Sequence, residues 1–311
     1  MSSSAKASID NNAWPGLAYT DWQDSCNTLH LWTQVVGKVK LALAPVSNHW
    51  WSIVLYVNAR GLTTGPMAYR GRTLQIDFDF CVHALVLRTS DAREQRIALT
   101  PMTVADFYAA VMRGLSALDV DVHIWTVPVE LEDAIPFDQD RLHAHYDAAA
   151  VNIFWRQLAQ IDGVFKTFRA RFLGKCSPVH FFWGSFDLAV TRFSGRAAPP
   201  LTSSNTPNVA AWVMREAYSH ECSSLGFWPG NGGYGRAAFY SYAYPEPAGF
   251  GSEPVRPQGA AYNGDVGQFL IDYDTIRAAS SPDDALLEFA QSTYEAVANK
   301  AGWDRTALER Q

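Results

Sequence analysis

Residues 171–195, RFLGKCSPVHFFWGSFDLAVTRFSG, decide most of what the sequence predicts about the fold. The dense apolar side chains predict one buried strand, from Val179 to Arg192, at the centre of a sheet. The same stretch carries His180 and Asp187, and an ionisable group is costly to bury unless it is paired or hydrogen-bonded. The stretch therefore predicts either an internal polar network or the wall of a pocket.

The first half of the chain, residues 13–127, is predicted to fold as a helix, an antiparallel meander and a second helix. Thr20 and Gln23 form a capping-box pattern at the start of the first helix, and Gly37 ends it. Thr103 caps the closing helix. Strands are predicted at 38–44, 50–59, 73–80, 84–89, 96–99 and 122–127.

The second half, residues 147–311, repeats that order after a connector at 128–146. Asp147 opens the longest predicted helix, in which phenylalanines recur with the 3.6-residue period, and Ser281 begins the last helix. Strands are predicted at 179–192, 216–223 and 238–244. The sequence thus predicts an α+β fold of antiparallel meanders flanked by helices, either as two pseudo-repeated halves or as one irregular mixed sheet.

Composition excludes several classes of function. The net charge of −6 argues against a nucleic-acid partner, because nucleic-acid binding normally needs a basic face. Residues 1–12 are polar and predicted to be disordered, without the apolar core of a signal peptide. No apolar run is long enough for a membrane span, and four scattered cysteines favour reduced thiols. We expect a cytoplasmic protein without a membrane partner.

Five strings carry a resemblance to a known family. They are WxxxxNTLHLWTQVVGKVKLAL, NHWWSIVLYVNARGLTTGP, RFLGKCSPVHFFWGSFDLAVTRFSGR, AYSHECSSLGFWPG and FYSYAYPEP. Over about residues 13–310, the chain resembles a bacterial family catalogued only as a domain of unknown function. The resemblance implies a single cytosolic domain in a bacterium, and it implies no activity, cofactor or catalytic residue.

Strand alternation places His180 and Asp187 on opposite faces unless a bulge at Gly184 brings them together. In the functional interpretation, His180 is a general base or a ligand and Arg192 binds an anionic group. In the structural interpretation, the same residues form a satisfied polar network in the core. His220 and Glu221 are adjacent, so one of them faces inward and the other away.

The leading hypothesis is an enzyme that acts on a small polar organic substrate in an aromatic-lined cleft between the two halves. His180 and His220 are the predicted acid–base groups, Glu221 or Asp187 orients them, and Arg192 contacts the substrate. The predicted walls of the cleft are Trp50, Trp183, Trp228 and Tyr242.

Two alternatives remain open at this stage. The first is a non-catalytic module that binds a ligand or has a structural role, with buried histidine and arginine networks. The second is a metal-dependent hydrolase, although the chain lacks compact metal-ligand spacing and no cofactor is predicted. A divalent metal would need three or four side chains to converge from the set His30, His49, His180, Asp187, His220 and Glu221.

Overall fold

Two antiparallel sheets, each of six strands, dominate the computed structural model, which describes residues 13–202 and 206–310. The first part of the chain forms α1 (Tyr19–Leu43), β1 (Tyr56–Asn58), β2 (Gly61–Thr63), β3 (Met67–Tyr69), β4 (Arg72–Asp79), β5 (Ala84–Thr89), β6 (Glu94–Ala98) and α2 (Val104–Ala117). The strand order in this first sheet is β1-β2-β4-β5-β6, and β3 also pairs with β4.

The second sheet follows a long segment without helix or strand. Its part of the chain forms α3 (Ala148–Ala170), β7 (His180–Phe182), β8 (Asp187–Ala197), α4 (Ala211–Ala217), β9 (His220–Trp228), β10 (Ala238–Tyr244), β11 (Ala261–Asn263), β12 (Gln268–Asp272), α5 (Tyr273–Arg277), α6 (Pro282–Lys300) and α7 (Arg305–Leu308). The strand order is β11-β12-β10-β9-β8-β7. The predicted α+β class with antiparallel meanders is confirmed.

The order helix, sheet, helix occurs in both parts, with α1 and α2 around the first sheet and α3 and α6 around the second. The boundaries of the two predicted halves, 13–127 and 147–311, stay a prediction. The predicted disordered segment at 1–12 lies outside the described residues.

Helix α1 continues past Gly37 to Leu43, so the predicted strand at 38–44 is wrong. Gly37 lies inside the helix, where the absence of a side chain makes room for the indole of Trp183. A Cβ atom at this position would overlap that ring. The helix begins at Tyr19 after Ala18, which makes no side-chain cap, so the capping box predicted at Thr20 is also absent.

The strand predicted at 179–192 is in fact the hairpin of β7 and β8. The chain turns between them, and Phe186 adopts a left-handed φ of 60° in that turn. The turn changes the alternation, so His180 and Asp187 share one face of the sheet. They are diagonal neighbours, since His180 pairs with Ala189 and Asp187 with Phe182.

Three other predicted strands differ from the structure. In the segment predicted as a strand at 50–59, only β1 is extended, because His49 and Trp50 adopt left-handed φ angles of 55° and 62°. Residues 122–127 form no strand. The prediction at 216–223 overlaps the end of α4, and β9 begins only at His220.

The phenylalanine face of α3 lies in the core, as its helical period predicts. Phe154, Phe165 and Phe168 are almost fully buried, and Asp147 caps the helix by accepting hydrogen bonds from two backbone N–H groups. At 23 residues, α3 is shorter than α1, which has 25. Apolar packing on one face of α3 thus anchors the second sheet to the helices.

Backbone hydrogen bonds connect the two parts of the chain. Leu55, just before β1, exchanges two of them with Phe181 in β7, at 2.9 and 2.8 Å. Among the described residues, no helix combines the length and the apolar character needed to cross a membrane.

Candidate functional site

A cavity of about 590 Å³ lies over one face of the second sheet, within the range of about 300–1,000 Å³ typical of organic-ligand sites. Alternate residues of β8, β9 and β10 form its floor, because strand side chains point to opposite faces in turn. The floor residues are Asp187, Ala189, Thr191, Phe193, Cys222, Ser224, Tyr240 and Tyr242. The walls come from α4, the end of α1, the turn before β1 and the segment after α2.

A row of four residues crosses the floor from β7 to β10. His180 pairs with Ala189, and Gly226 pairs with both Ala189 and Tyr240. Ala189 and Gly226 are the two small residues of this row. A Cβ atom at Gly226 would overlap the ring of Tyr240. The glycine therefore lets the phenol cross β9 and reach Asp187.

Asp187 is the first residue of β8, two residues before Ala189 of this row, and is only 4% exposed. Its carboxylate accepts hydrogen bonds from the hydroxyl groups of Ser185 and Tyr240. Burial raises the pKa of Asp187, and the two hydroxyl donors oppose the rise because they stabilise the charged form. No basic side chain in the described ranges pairs with this carboxylate.

Glu130 brings a second carboxyl group to the cavity. Its backbone has a left-handed φ of 61°, and its N–H donates to the carbonyl of Pro207 at 2.8 Å. The carboxyl group lies against Gly184, where an added Cβ atom would overlap it. Surrounding protein, and then the charge of Asp187, raise the pKa of Glu130 to about 7, although the side chain itself is exposed to the cavity.

Two buried polar side chains of α1 hold this carboxyl group in place. His30 Nε2 donates to the carbonyl of Gly184 at 2.8 Å. The amide of Gln34 donates to the carbonyl of Val129 and accepts from its N–H, both at 2.9 Å. Gly184 contacts the carboxyl group of Glu130, and Val129 is the residue before Glu130 in the chain. Through His30 and Gln34, helix α1 therefore holds the backbone on both sides of this carboxyl group.

Two buried lysines extend this polar face of α1. Lys38 Nζ donates to the carbonyls of Val127 and Trp125, the latter at 3.1 Å. Lys40 Nζ donates to the carbonyl of Val54 at 2.6 Å. Burial lowers the pKa of both lysines to about 8. Each lysine thus serves to tie a loop to the helix.

His180 faces the cavity as a neutral ring. Its Nδ1 donates to the carbonyl of Pro178 at 2.7 Å, which leaves the lone pair on Nε2. Burial lowers the pKa of His180 to about 4. Within the part of the chain that the structure describes, Nε2 has no hydrogen-bond partner. His180 therefore presents a hydrogen-bond acceptor to the cavity.

The aromatic walls present ring surfaces, because their polar atoms are already bonded. The indole N–H groups of Trp50 and Trp183 donate to backbone carbonyls at 3.1 and 2.8 Å. The hydroxyl groups of Tyr218 and Tyr242 are hydrogen-bonded to each other at 3.1 Å. The cavity is therefore mainly apolar, and Glu130, His180 and Asp187 are among its ionisable groups.

Of the residues predicted from the sequence, five line the cavity: Trp50, His180, Trp183, Asp187 and Tyr242. His220, Glu221, Trp228 and Arg192 do not. Glu221 forms an ion pair at 2.7 Å with Arg196. Trp228 lies on the same face of β9 as the floor residues Cys222 and Ser224 but outside the cavity, with its ring centroid 4.5 Å from that of Tyr240.

Arg192 lies on the opposite face of the second sheet, because its neighbours Thr191 and Phe193 point into the cavity. Its guanidinium carbon lies 3.5 Å from the ring centroid of Phe168 and 4.4 Å from that of Tyr294. It also donates to the carbonyl of Phe168. Burial lowers the pKa of Arg192 to about 10. Its position gives it no contact with a ligand in the cavity.

Over residues 13–202 and 206–310, no three His, Cys, Asp or Glu side chains are grouped so that they could hold a metal ion. The predicted ligands have other partners. His30 bonds the Gly184 carbonyl, Asp187 accepts from two hydroxyls, and His49 accepts from Lys175 at 2.8 Å. The convergence that the metal alternative requires is not found among these residues.

These features define a class of protein: an α+β fold with a ligand-sized cavity on the face of an antiparallel sheet. The chain belongs to the family of unknown function DUF5996, whose family model matches residues 14–310. The resemblance predicted from the five strings is thereby confirmed. No curated protein and no solved structure matches the chain.

Sequence reasoning missed Glu130, which lies in the predicted connector at 128–146. The connector contains many acids, and none of them stands out by spacing. The available signal was indirect: His30 and Gln34 lie one turn apart on the same face of α1, and both are buried. A buried polar pair needs partners, and here the partners are the backbone groups that position Glu130.

Proposed function

We propose that this protein is an enzyme that uses Glu130 and Asp187 as an acid–base pair on a small organic substrate in the aromatic-walled cavity. The observation that carries the proposal is the contrast between the two carboxyl groups. Asp187 accepts two hydroxyl hydrogen bonds, whereas Glu130 accepts none from the described residues. Paired titratable groups in unlike environments take opposite acid–base roles.

The proposed roles follow from protonation. Glu130, with its pKa raised to about 7, carries a proton for part of the time at neutral pH and can donate it to a substrate oxygen or nitrogen. Burial raises the pKa of Asp187, and the hydroxyl groups of Ser185 and Tyr240 oppose that rise. In the proposal Asp187 is the ionised partner, which accepts a proton or stabilises positive charge. The neutral His180 ring adds an acceptor beside them.

The acid–base pair can be tested without a known substrate. Carbon-13 NMR of protein labelled at the glutamate carboxyl carbons gives the pKa of Glu130, and the Glu130→Gln variant identifies its resonance. We expect a pKa near 7 that falls in Asp187→Asn, because removing the neighbouring charge stabilises ionised Glu130. A Glu130 pKa in the ordinary glutamate range would contradict the proposal.

Catalysis is tested with chromogenic esters, aryl glycosides and epoxides, whose cleavage requires proton transfer. Turnover of any of them should fall by about 10²–10⁴ in Glu130→Gln and in Asp187→Asn. Glu221→Gln is the matched control, because Glu221 pairs with Arg196 outside the cavity. An activity that Glu130→Gln leaves unchanged would rule out the proposed acid.

A second function is favoured by one observation: the walls are largely apolar, and their indole and phenol polar groups are already bonded. A module that only binds a ligand would need no more than this. It predicts saturable ligand binding that persists in Glu130→Gln, without turnover of any substrate.

A further inference from the structure

The ionisable end of the cavity presents hydrogen-bond acceptors. Asp187 and Glu130 contribute carboxyl oxygens, and His180 contributes the lone pair of Nε2. His180 is 1% exposed, and its Nε2 has no partner in the described part of the protein. The nearest hydroxyl donors are used internally, since Ser185 and Tyr240 both donate to Asp187. A ligand that complements this end must bring hydrogen-bond donors.

Lys38 lines the cavity, but no cationic side chain among the described residues pairs with its two carboxyl groups. Neither Glu130 nor Asp187 has a basic neighbour. Lys38 is turned toward the carbonyls of Val127 and Trp125. Arg192 lies behind the sheet against Phe168. Two carboxyl groups beside a cavity therefore lack a countercharge.

Aromatic rings line the same cavity as these carboxyl groups. Trp183 immediately precedes Gly184, which contacts Glu130, and Tyr242 is two residues beyond Tyr240 on the floor. Their polar atoms are bonded to protein, so ring surface is what remains for a ligand. Aromatic faces attract cations, especially where water is displaced.

We infer that the ligand of this cavity is an organic amine whose ammonium group lies between Glu130, Asp187 and His180, with its apolar part against the aromatic walls. An ammonium group has three donors and no acceptor, which matches the acceptors at this end. An anionic ligand is disfavoured by Asp187. The inference specifies the substrate class of the proposed enzyme and rests on that proposed site.

The test compares four probes of similar shape by calorimetry, at a pH above the pKa of Glu130: benzylamine, benzyltrimethylammonium, benzyl alcohol and benzoate. We expect benzylamine to bind at least about tenfold more tightly than benzyl alcohol, and benzoate to bind most weakly. Equal or tighter binding of benzyl alcohol overturns the inference, and so does the absence of saturable binding by either cation. Benzyltrimethylammonium, which lacks N–H donors, separates charge from hydrogen bonding.

Variants show which residues cause the preference for benzylamine over benzyl alcohol. Glu130→Gln and Asp187→Asn should lose most of the ratio between benzylamine and benzyl alcohol while still binding the alcohol, which shows that the cavity is intact. Glu221→Gln, a carboxylate change outside the cavity, should keep the full ratio. A preference for benzylamine that survives in both cavity variants overturns the inference.

The two proposals fail separately. If the pKa of Glu130 is raised but benzylamine is not preferred, the acid–base proposal stands and the amine inference is overturned. If benzylamine is preferred but the pKa of Glu130 is ordinary, the amine inference stands and the acid–base proposal is overturned.

Discussion

Gly226 on β9 lies directly opposite Tyr240 on β10, and the ring of Tyr240 occupies the space that a side chain at Gly226 would need. This relationship brings the phenol to Asp187 two strands away. Gly226, which has no side chain, thus controls the hydrogen bonding of the buried carboxylate of Asp187.

Gly226→Ala should displace Tyr240 and remove its hydrogen bond to Asp187. Overpacking of this kind costs about 1–3 kcal/mol of the free energy of unfolding, which urea titration measures. Benzylamine affinity should fall as well. Tyr240→Phe removes the same hydroxyl group and keeps the ring, so it should reproduce the loss of affinity with a smaller loss of stability. A Gly226→Ala protein with normal affinity would show that the phenol does not shape the site.

Gly184→Ala should displace the Glu130 carboxyl group, because the new methyl group would overlap it. The overlapping atom is the end of a flexible side chain, so the fold should survive while the pKa of Glu130 changes, as carboxyl NMR would detect. Gly163→Ala is the matched control, since nothing lies within 4 Å of a Cβ atom there. It should leave the Glu130 pKa unchanged and stabilise α3 by about 0.5–1 kcal/mol.

Gln34→Leu should leave the N–H and the carbonyl of Val129 without partners. Each unpaired buried group costs about 1–3 kcal/mol, so the free energy of unfolding should drop clearly. Gln160→Leu is the control, because its bonds to Asp283 are exposed, and it should change stability by less than about 0.5 kcal/mol. Similar losses in both variants would argue against a positioning role for Gln34.

His180 should make stability depend on pH. Burial holds its pKa at about 4 in the folded state, below the ordinary value of 6.5. Below pH 6.5 the unfolded chain takes up a proton that the folded protein does not. Its contribution is therefore complete above 6.5 and declines toward pH 4, with a slope of about 1.4 kcal/mol per pH unit.

The His180→Gln variant should lack this slope. Because all other groups titrate in both proteins, the difference in the free energy of unfolding between wild type and variant should itself change by about 1.4 kcal/mol per pH unit between pH 6.5 and pH 4. Urea unfolding across this pH range measures the difference. An unchanged slope would mean that the folded protein accepts the proton on His180.

Local patterns predicted the regular parts of the fold. The strands at 84–89 and 238–244 match β5 and β10 residue for residue, because a polar or glycine-rich turn bounds each run. Prediction was wrong where tertiary contacts override local preference. Gly37 indicates the end of a helix by composition, but in the structure it accommodates the indole of Trp183, a residue 146 positions later.

Residues of the candidate site could be predicted from the sequence only where they lie in or next to strands. His180 and Asp187 stood out as ionisable groups in an apolar run, and both line the cavity. Glu130 did not stand out, because its segment is irregular and its position depends on the side chains of α1. Arg192 had the same sequence signal as His180, but the hairpin turn and strand alternation put it on the opposite face.

Helix α1 lies near the start of the chain, yet the hydrogen-bond partners of its buried polar side chains lie much later in the sequence. The bond from His30 to Gly184 spans 154 positions, and that from Gln34 to Val129 spans 95. Contacts so distant in sequence slow folding, because long loops must close first. During synthesis on the ribosome, the first helix should therefore stay loosely held, and vulnerable to proteases or in need of a chaperone, until β7 and β8 have emerged.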